Sequence, residues 1–199
     1  MDCGPHALLV EDPEGADALD LYRSLLRARP VGVYDLVAGA HAVLVRFDPA
    51  RVERKALTEL LAQFRVEADN EPRPLVEVPV VYDGPDLAAV AAAAGLTERE
   101  VAERHAAGTY TVSFVGRAPG LATMTGLDQA LHVDRRAERA AIPAGSITIN
   151  RGYTSAYPAA LASRAHVIGR TDLVLWEPAA TDPMALPLGA SVRFVEVSP

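Results

Sequence analysis

"HVIGRTDLVLWEP", residues 166–178, reads as a strand, a turn over Gly169-Arg170-Thr171-Asp172, and a second strand. The same texture extends to both sides of it. From Tyr110 onward "TYTVSFVG", "GSITIN" and "ASVRFVEV" are further short β segments, divided by Gly- and Pro-rich turns, with no long helical pattern among them. Such a series predicts a closed or nearly closed barrel in the C-terminal part of the chain.

Upstream the periodicity changes. "DGPDLAAVAAAAGLTEREVAERHAAG" predicts a helical hairpin spanning a connector at 81–108, with Gly95 as a helix C-cap and Thr97 with Glu100 as a capping box. Helix, Gly-Leu-Thr turn and helix is also the outline of a DNA-binding helix-turn-helix. The second helix, however, sets Glu98, Glu100 and Glu103 against Arg99 and Arg104, a poor complement to phosphate. Residues 1–80 alternate strands and amphipathic helices in the order β-α-β-β-α-β, ending in the extended segment "RPLVEVPVVYD". This order predicts a small ferredoxin-like α/β domain, with two helices on one face of its sheet. Leu19, Tyr22, Leu25 and Leu26 are the expected buried face of the first helix, and Val52, Ala56, Leu57, Leu60 and Leu61 that of the second. The fold class is therefore α+β, in three parts: 1–80, 81–108 and 109–199.

Half of the 199 residues are hydrophobic, enough for a real core, and the net charge is −7 with scattered basic residues. That field repels a phosphate backbone, so nucleic acid is not an expected partner. No apolar run reaches membrane-spanning length and the first residues lack a signal-peptide pattern, so the expectation is a cytoplasmic protein without membrane attachment. The single Cys3 excludes an internal disulfide and a cysteine zinc site, and His6, His41, His105, His132 and His166 show no metal-ligand spacing, so no metal is expected. Ser146, Ser155 and Ser163 lie outside any GxSxG elbow, and no GxxxxGK[ST] phosphate loop exists. A nucleotide, if used, would be held by another subunit or in an unorthodox manner.

The order "GRAPGLATMTGLD", "RRAERAAIPAGSITIN", "YTSAYP", "IGRTDLVLWEP" and "LGASVRFVEV", preceded by the connector with His105 in place, resembles the family of the 5-oxoprolinase B subunit, allophanate hydrolase subunit 1 and the Kip sporulation-kinase inhibitor. The likeness covers nearly the whole chain. It implies a cyclophilin-like barrel at 109–199 and a homologous partner, of the kind represented by the 5-oxoprolinase C subunit or allophanate hydrolase subunit 2. It further implies ATP-dependent opening of 5-oxoproline to glutamate in a complex where this chain alone is inactive. Two alternatives follow from the same likeness: a regulator that docks onto a histidine kinase, and a carboxyltransferase-like component of urea metabolism.

The family's loop runs Gly-Phe-x-Pro-Gly-Phe-x-Tyr-Leu-x-Gly-Leu. Gly116, Pro119, Gly120, Gly126 and Leu127 match it, but Arg117, Leu121 and Thr123 replace its Phe, Phe and Tyr. Tyr153 stands where the family has Gln, and "LASRAH" replaces Ser-Pro-Gly-Gly-Trp. Retained are Arg135, Arg136, Tyr157, Gly169, Arg170 and Thr171 among others. The substrate-binding candidates are thus Arg170, Thr171, Arg117, Arg135, Arg136, Tyr153 and Tyr157. An arginine on a barrel turn can grip a carboxylate with two prongs. Equally, Arg170 could pair with Asp172 or Glu177, and Arg135 and Arg136 could be a solvated basic turn. Trp176 and Phe194 are read as core, with docking of a partner barrel as the alternative.

Overall fold

Val43, Val45 and Phe47 alternate along one strand with no exposed surface, and they mark the core of the first unit. The computed structural model describes residues 3–11, 18–66, 73–138 and 140–198, in two compact units, Met1–Pro72 and Arg73–Pro199. The first unit holds β1 (Ala7–Glu11), α1 (Ala18–Ala28), β2 (Val33–Ala38), β3 (Ala42–Phe47) and α2 (Arg54–Ala62). Its strands pair antiparallel in the order β1-β3-β2, so the most apolar strand is central. Leu21, Leu25, Leu57 and Leu61 from the helices complete this core. Leu26 and Leu60, expected to face inward, are nearly half exposed. In α1 the buried arc is centred on Leu25, through Ala18, Leu21 and Ser24, which leaves Leu26 at its margin in the last turn. Ala16 and Asp17, the expected start of that helix, lie outside the described residues, as does Arg139 within "RRAERAAIPAGSITIN".

The extended segment "RPLVEVPVVYD" does not complete the first sheet. It forms β4 (Leu75–Val80) and pairs in parallel with β12 (Ser191–Glu196), so the first unit shows three strands among its described residues rather than four. Between them the chain forms α3 (Leu87–Ala94), α4 (Glu98–Ala107), β5 (Tyr110–Val115), β6 (Ala122–Thr125), a 3₁₀ turn at Gln129–Leu131, β7 (Ala140–Ile142), β8 (Ser146–Asn150), β9 (Tyr153–Ala156), β10 (Leu161–Ser163) and β11 (His166–Arg170). Seven strands make one sheet in the order β11-β8-β9-β6-β5-β12-β4, antiparallel except for the β12–β4 pair.

That sheet curls until its ends meet. Just past β4, the N–H of Val81 donates to the Arg170 carbonyl and the Arg170 N–H returns to the Val81 carbonyl, both at 2.9 Å. The result is a nearly closed barrel filled by Val78, Val112, Met124, Ile147, Ile149, Ile168 and Phe194. Pro79 has no N–H to give, which suits a strand partnered on only one side at that point. Closure also requires the absence of side chains. A Cβ on Gly169 would lie 2.6 Å from the Val81 carbonyl oxygen, and one on Gly84 2.3 Å from that of Val167.

The helical hairpin forms as its signals predict. Thr97 caps α4 in a capping box with Glu100, and Gly95 ends α3 in the left-handed conformation. By contrast, "DLVLWEP" is not a strand: its one ladder element is an isolated bridge between Trp176 and Met184. Prolines at 178, 183 and 187 remove donors on both limbs of the return, so pairing cannot propagate beyond that bridge. Phe194 is core, whereas Trp176 is half-buried with its Cβ over Gly120.

Candidate functional site

His105 on α4 enters the barrel and is completely buried. Its Nε2 lies 2.9 Å from the Thr154 hydroxyl and its Nδ1 2.8 Å from the Tyr82 hydroxyl. Thr154 directs its own proton to the Thr148 carbonyl at 3.0 Å, so it accepts from Nε2–H. Nδ1 is therefore the acceptor for Tyr82. The ring of His105 packs 4.5 Å from that of Phe194 and 5.2 Å from that of Tyr110, whose hydroxyl donates to the His105 carbonyl at 2.7 Å. Burial holds the imidazole pKa down at about 3 and pushes the Tyr82 phenol well above its ordinary value. His105 is thus a neutral strut between α4, β9 and Tyr82, just past β4.

A cleft of about 400 Å³ opens beside that strut, lined by Val81, Tyr82, Asp83, Glu196, Val197 and Ser198. Arg170 stands at its margin. Its Nε–H donates to Asp83 Oδ2 at 2.9 Å, both side chains being nearly half exposed. The partner is Asp83, not Asp172 or Glu177, because barrel closure brings position 83 against β11. Glu196 is held from the opposite side by Arg99 at 2.8 Å.

The remaining candidates do not converge on this cleft. Thr171 is buried: its N–H donates to the Gly145 carbonyl, and its hydroxyl accepts from the Leu173 N–H. Tyr157 accepts from the Gly145 N–H through its carbonyl, and its side chain packs with Leu121, Ile142, Ala165 and Val167 in a small second core under the β7–β10 pair. Arg136 donates to Asp86 Oδ2 at 2.7 Å in a largely buried pair, where that oxygen also accepts the Val167 N–H at 2.8 Å. Arg135 is exposed and donates to Asn150 Oδ1 at 3.0 Å. Arg117, at the tip of the β5–β6 hairpin, is exposed and reaches the Ala162 carbonyl at 3.1 Å.

The outward side of β5, β6 and β9 is polar. Ala122, Met124, Thr154 and Ala156 point inward, leaving Thr123, Thr125, Tyr153 and Ser155 on the other face. Ser155 donates to the Thr123 hydroxyl at 3.2 Å, the Ser113 and Thr125 hydroxyls are hydrogen-bonded at 2.7 Å, and the Phe114 and Tyr153 rings meet edge to face at 5.9 Å. Of the three replaced loop aromatics, Leu121 has become core, while Arg117 and Thr123 lie outside it.

Sequence reasoning missed Asp83, Asp86 and the Thr123–Ser155 pair. Alternation along β6 and β9 could have shown the hydroxyl face. Nothing in the sequence joins Asp86 to Arg136, 50 residues away, or to Val167.

This chain is 46% identical over 124 residues to the 5-oxoprolinase B subunit of Escherichia coli O157:H7, covering 60% of the chain and 57% of that protein. It is 34% identical over 154 residues to the 5-oxoprolinase B subunit of Bacillus subtilis strain 168, covering 75% and 64%. It therefore spans about three-fifths of the length of these relatives. The crystal structure of a protein designated TTHA0988 superposes with a TM-score of 0.80 at 29% identity, over 97% of this chain and 40% of that one. The family model for the carboxyltransferase domain, subdomain C and D, matches residues 2–186, and the chain belongs to that family.

Proposed function

We propose that the chain is a subunit of an ATP-dependent amide hydrolase of the 5-oxoprolinase type, inactive alone and sharing its site with a homologous partner of the C-subunit type. The observation that carries this reading is the 46% identity to a 5-oxoprolinase B subunit, over a stretch as long as the barrel unit itself. In this reading the first unit is ferredoxin-like, its three strands and two helices following that order, and the second is a cyclophilin-like barrel. The protein works in the cytoplasm.

The chemistry asks for groups that grip a small carboxylate and steady negative charge developing on a lactam carbonyl. Arg170 supplies one: Asp83 fixes its Nε side, and its terminal N–H groups have no partner among the described residues. Thr171, anchored to the Gly145 turn, holds the backbone that follows Arg170 in place. ATP would activate the carbonyl oxygen by phosphorylation and is bound within the assembled complex. Among the described residues no group of three potential ligands could hold a metal ion.

A second reading rests on the family model itself, which is that of a carboxyltransferase domain. There Arg170 would orient a carboxylated donor instead. The deciding experiment assays ATP-dependent loss of 5-oxoproline by the chain co-expressed with its neighbouring subunits. Turnover is expected to need this chain and to fall at least tenfold in Arg170→Ala; undiminished turnover without the chain, or with the variant, removes the assignment.

A further inference from the structure

The cleft beside Tyr82 brings a donor and an acceptor to one place through hydrogen bonds that the fold itself makes. Arg170 uses its Nε–H on Asp83 Oδ2, at 2.9 Å, and its terminal N–H groups have no partner among the described residues. Asp83 Oδ1 is without a partner there too. The Nε–Oδ2 bond holds the two side chains together, so a guanidinium fork and an unused carboxylate oxygen stand next to each other at the cleft wall. Barrel closure fixes the backbone under both: Val81 and Arg170 exchange two hydrogen bonds of 2.9 Å, and Asp83 follows two residues later.

The other segment lining the cleft carries a second carboxylate, Glu196. Arg99 donates to both of its oxygens, at 2.8 and 3.0 Å, but also to Glu103 at 2.8 Å. One guanidinium against two carboxylates leaves that side of the cleft with a net negative charge. The Tyr82 hydroxyl is committed to His105, so the remaining lining is apolar, from the Tyr82 ring, Val81 and Val197. A volume of about 400 Å³ lies at the small end of the range for small-molecule sites and suits a ligand the size of an amino acid.

We propose that this cleft binds a small carboxylate bearing an N–H group on the neighbouring carbon, and that Glu196 makes it select for a single negative charge. The ligand carboxylate lies across the terminal N–H groups of Arg170, and the adjacent N–H donates to Asp83 Oδ1. A second carboxylate on the ligand meets the field of Glu196 and is repelled. 5-Oxoproline has the required pair of groups and one negative charge, whereas glutamate, its hydrolysis product, carries a second carboxylate. The choice of 5-oxoproline as ligand rests on the hydrolase reading, in which Glu196 is a specificity-determining residue that favours substrate over product; the pattern of groups recognised rests on the cleft alone.

The test titrates the full ¹⁵N-labelled chain, at fixed ionic strength, with 5-oxo-L-proline, L-proline, cyclopentanecarboxylate and L-glutamate, and follows backbone amide shifts. Saturable shifts are expected at Tyr82, Asp83, Arg170 and Glu196 with the first two. Cyclopentanecarboxylate, which has the ring and the carboxylate but no N–H, should bind about tenfold more weakly than L-proline. L-Glutamate should bind at least about fivefold more weakly than L-proline, and Glu196→Gln should close most of that gap. Arg170→Gln should abolish saturation with every ligand. Absence of saturable shifts with both 5-oxo-L-proline and L-proline, or equal affinity for cyclopentanecarboxylate or L-glutamate, overturns the proposal. The comparison of four ligands needs no variant, so it decides the matter even where a substitution unfolds the chain. L-Proline has no lactam to open, and neither ATP nor a partner is present. Binding of L-proline without any turnover of 5-oxoproline in the assembled complex would therefore remove the hydrolase reading and leave the cleft assignment standing, and turnover without binding of either ligand to this cleft would do the reverse.

Discussion

His105 carries a consequence for acid stability that follows from its two hydrogen bonds and its burial. The unfolded chain takes up a proton on this ring near pH 6.5, while the folded chain resists until about pH 3. Between those values the unfolded state binds more protons, so stability is full above pH 6.5 and is lost as the pH falls toward 3. This group alone contributes about 1.4 kcal/mol of that loss per pH unit. Urea midpoints measured at pH 7, 5.5 and 4.5 should fall steeply in the wild type and less steeply in His105→Gln; identical slopes would contradict the assignment. Gly169 is a second residue with a definite expectation. A methyl added there meets the Val81 carbonyl, so Gly169→Ala should cost about 1–3 kcal/mol in chemical denaturation. An unchanged midpoint would show that the seam is slack.

The elements differ in how far local sequence governs them. The α3–α4 hairpin is written in its caps: Gly95 adopts φ +68° and Thr97 exchanges hydrogen bonds with Glu100, as the Gly-Leu-Thr signal predicts. Strands β5, β8, β11 and β12 form within the short β-like segments of the sequence, although β8 and most of β11 are buried on both faces rather than on alternate residues. The segment after β11 forms only the Trp176–Met184 bridge, because Pro178, Pro183 and Pro187 remove the donors that would extend it into a ladder. β4 is the clearest separation of element from placement. Its extended conformation was legible from "LVEVPV", yet its partner, β12, is more than 100 residues away and local pattern is silent on that choice. The candidate site divides along the same line: arginines on turns were visible, but Asp83, Asp86 and Ala162, which decide what each arginine does, are brought in by closure of the sheet.

At the scale of the whole molecule, the division at 72/73 assigns β4 to the barrel. A fragment spanning 73–199 is therefore expected to unfold cooperatively, with dispersed amide resonances. One spanning 81–199 lacks the strand that covers β12 and supplies Val78 and Val80 to the core, and it should be molten or insoluble. Cooperative folding of the shorter fragment would place the boundary after β4 instead. No helix among the described residues is long and apolar enough to cross a membrane.

The sequence by itself determined the type of most regular elements, the caps of the helical hairpin and the β-rich character of the second half, since these depend on neighbours within a few positions. The tertiary structure alone decided which sheet β4 joins, that His105 is a neutral strut, and which arginines remain without a carboxylate. Those outcomes depend on groups far apart in the chain that meet only when the sheet curls and its first and last strands are joined.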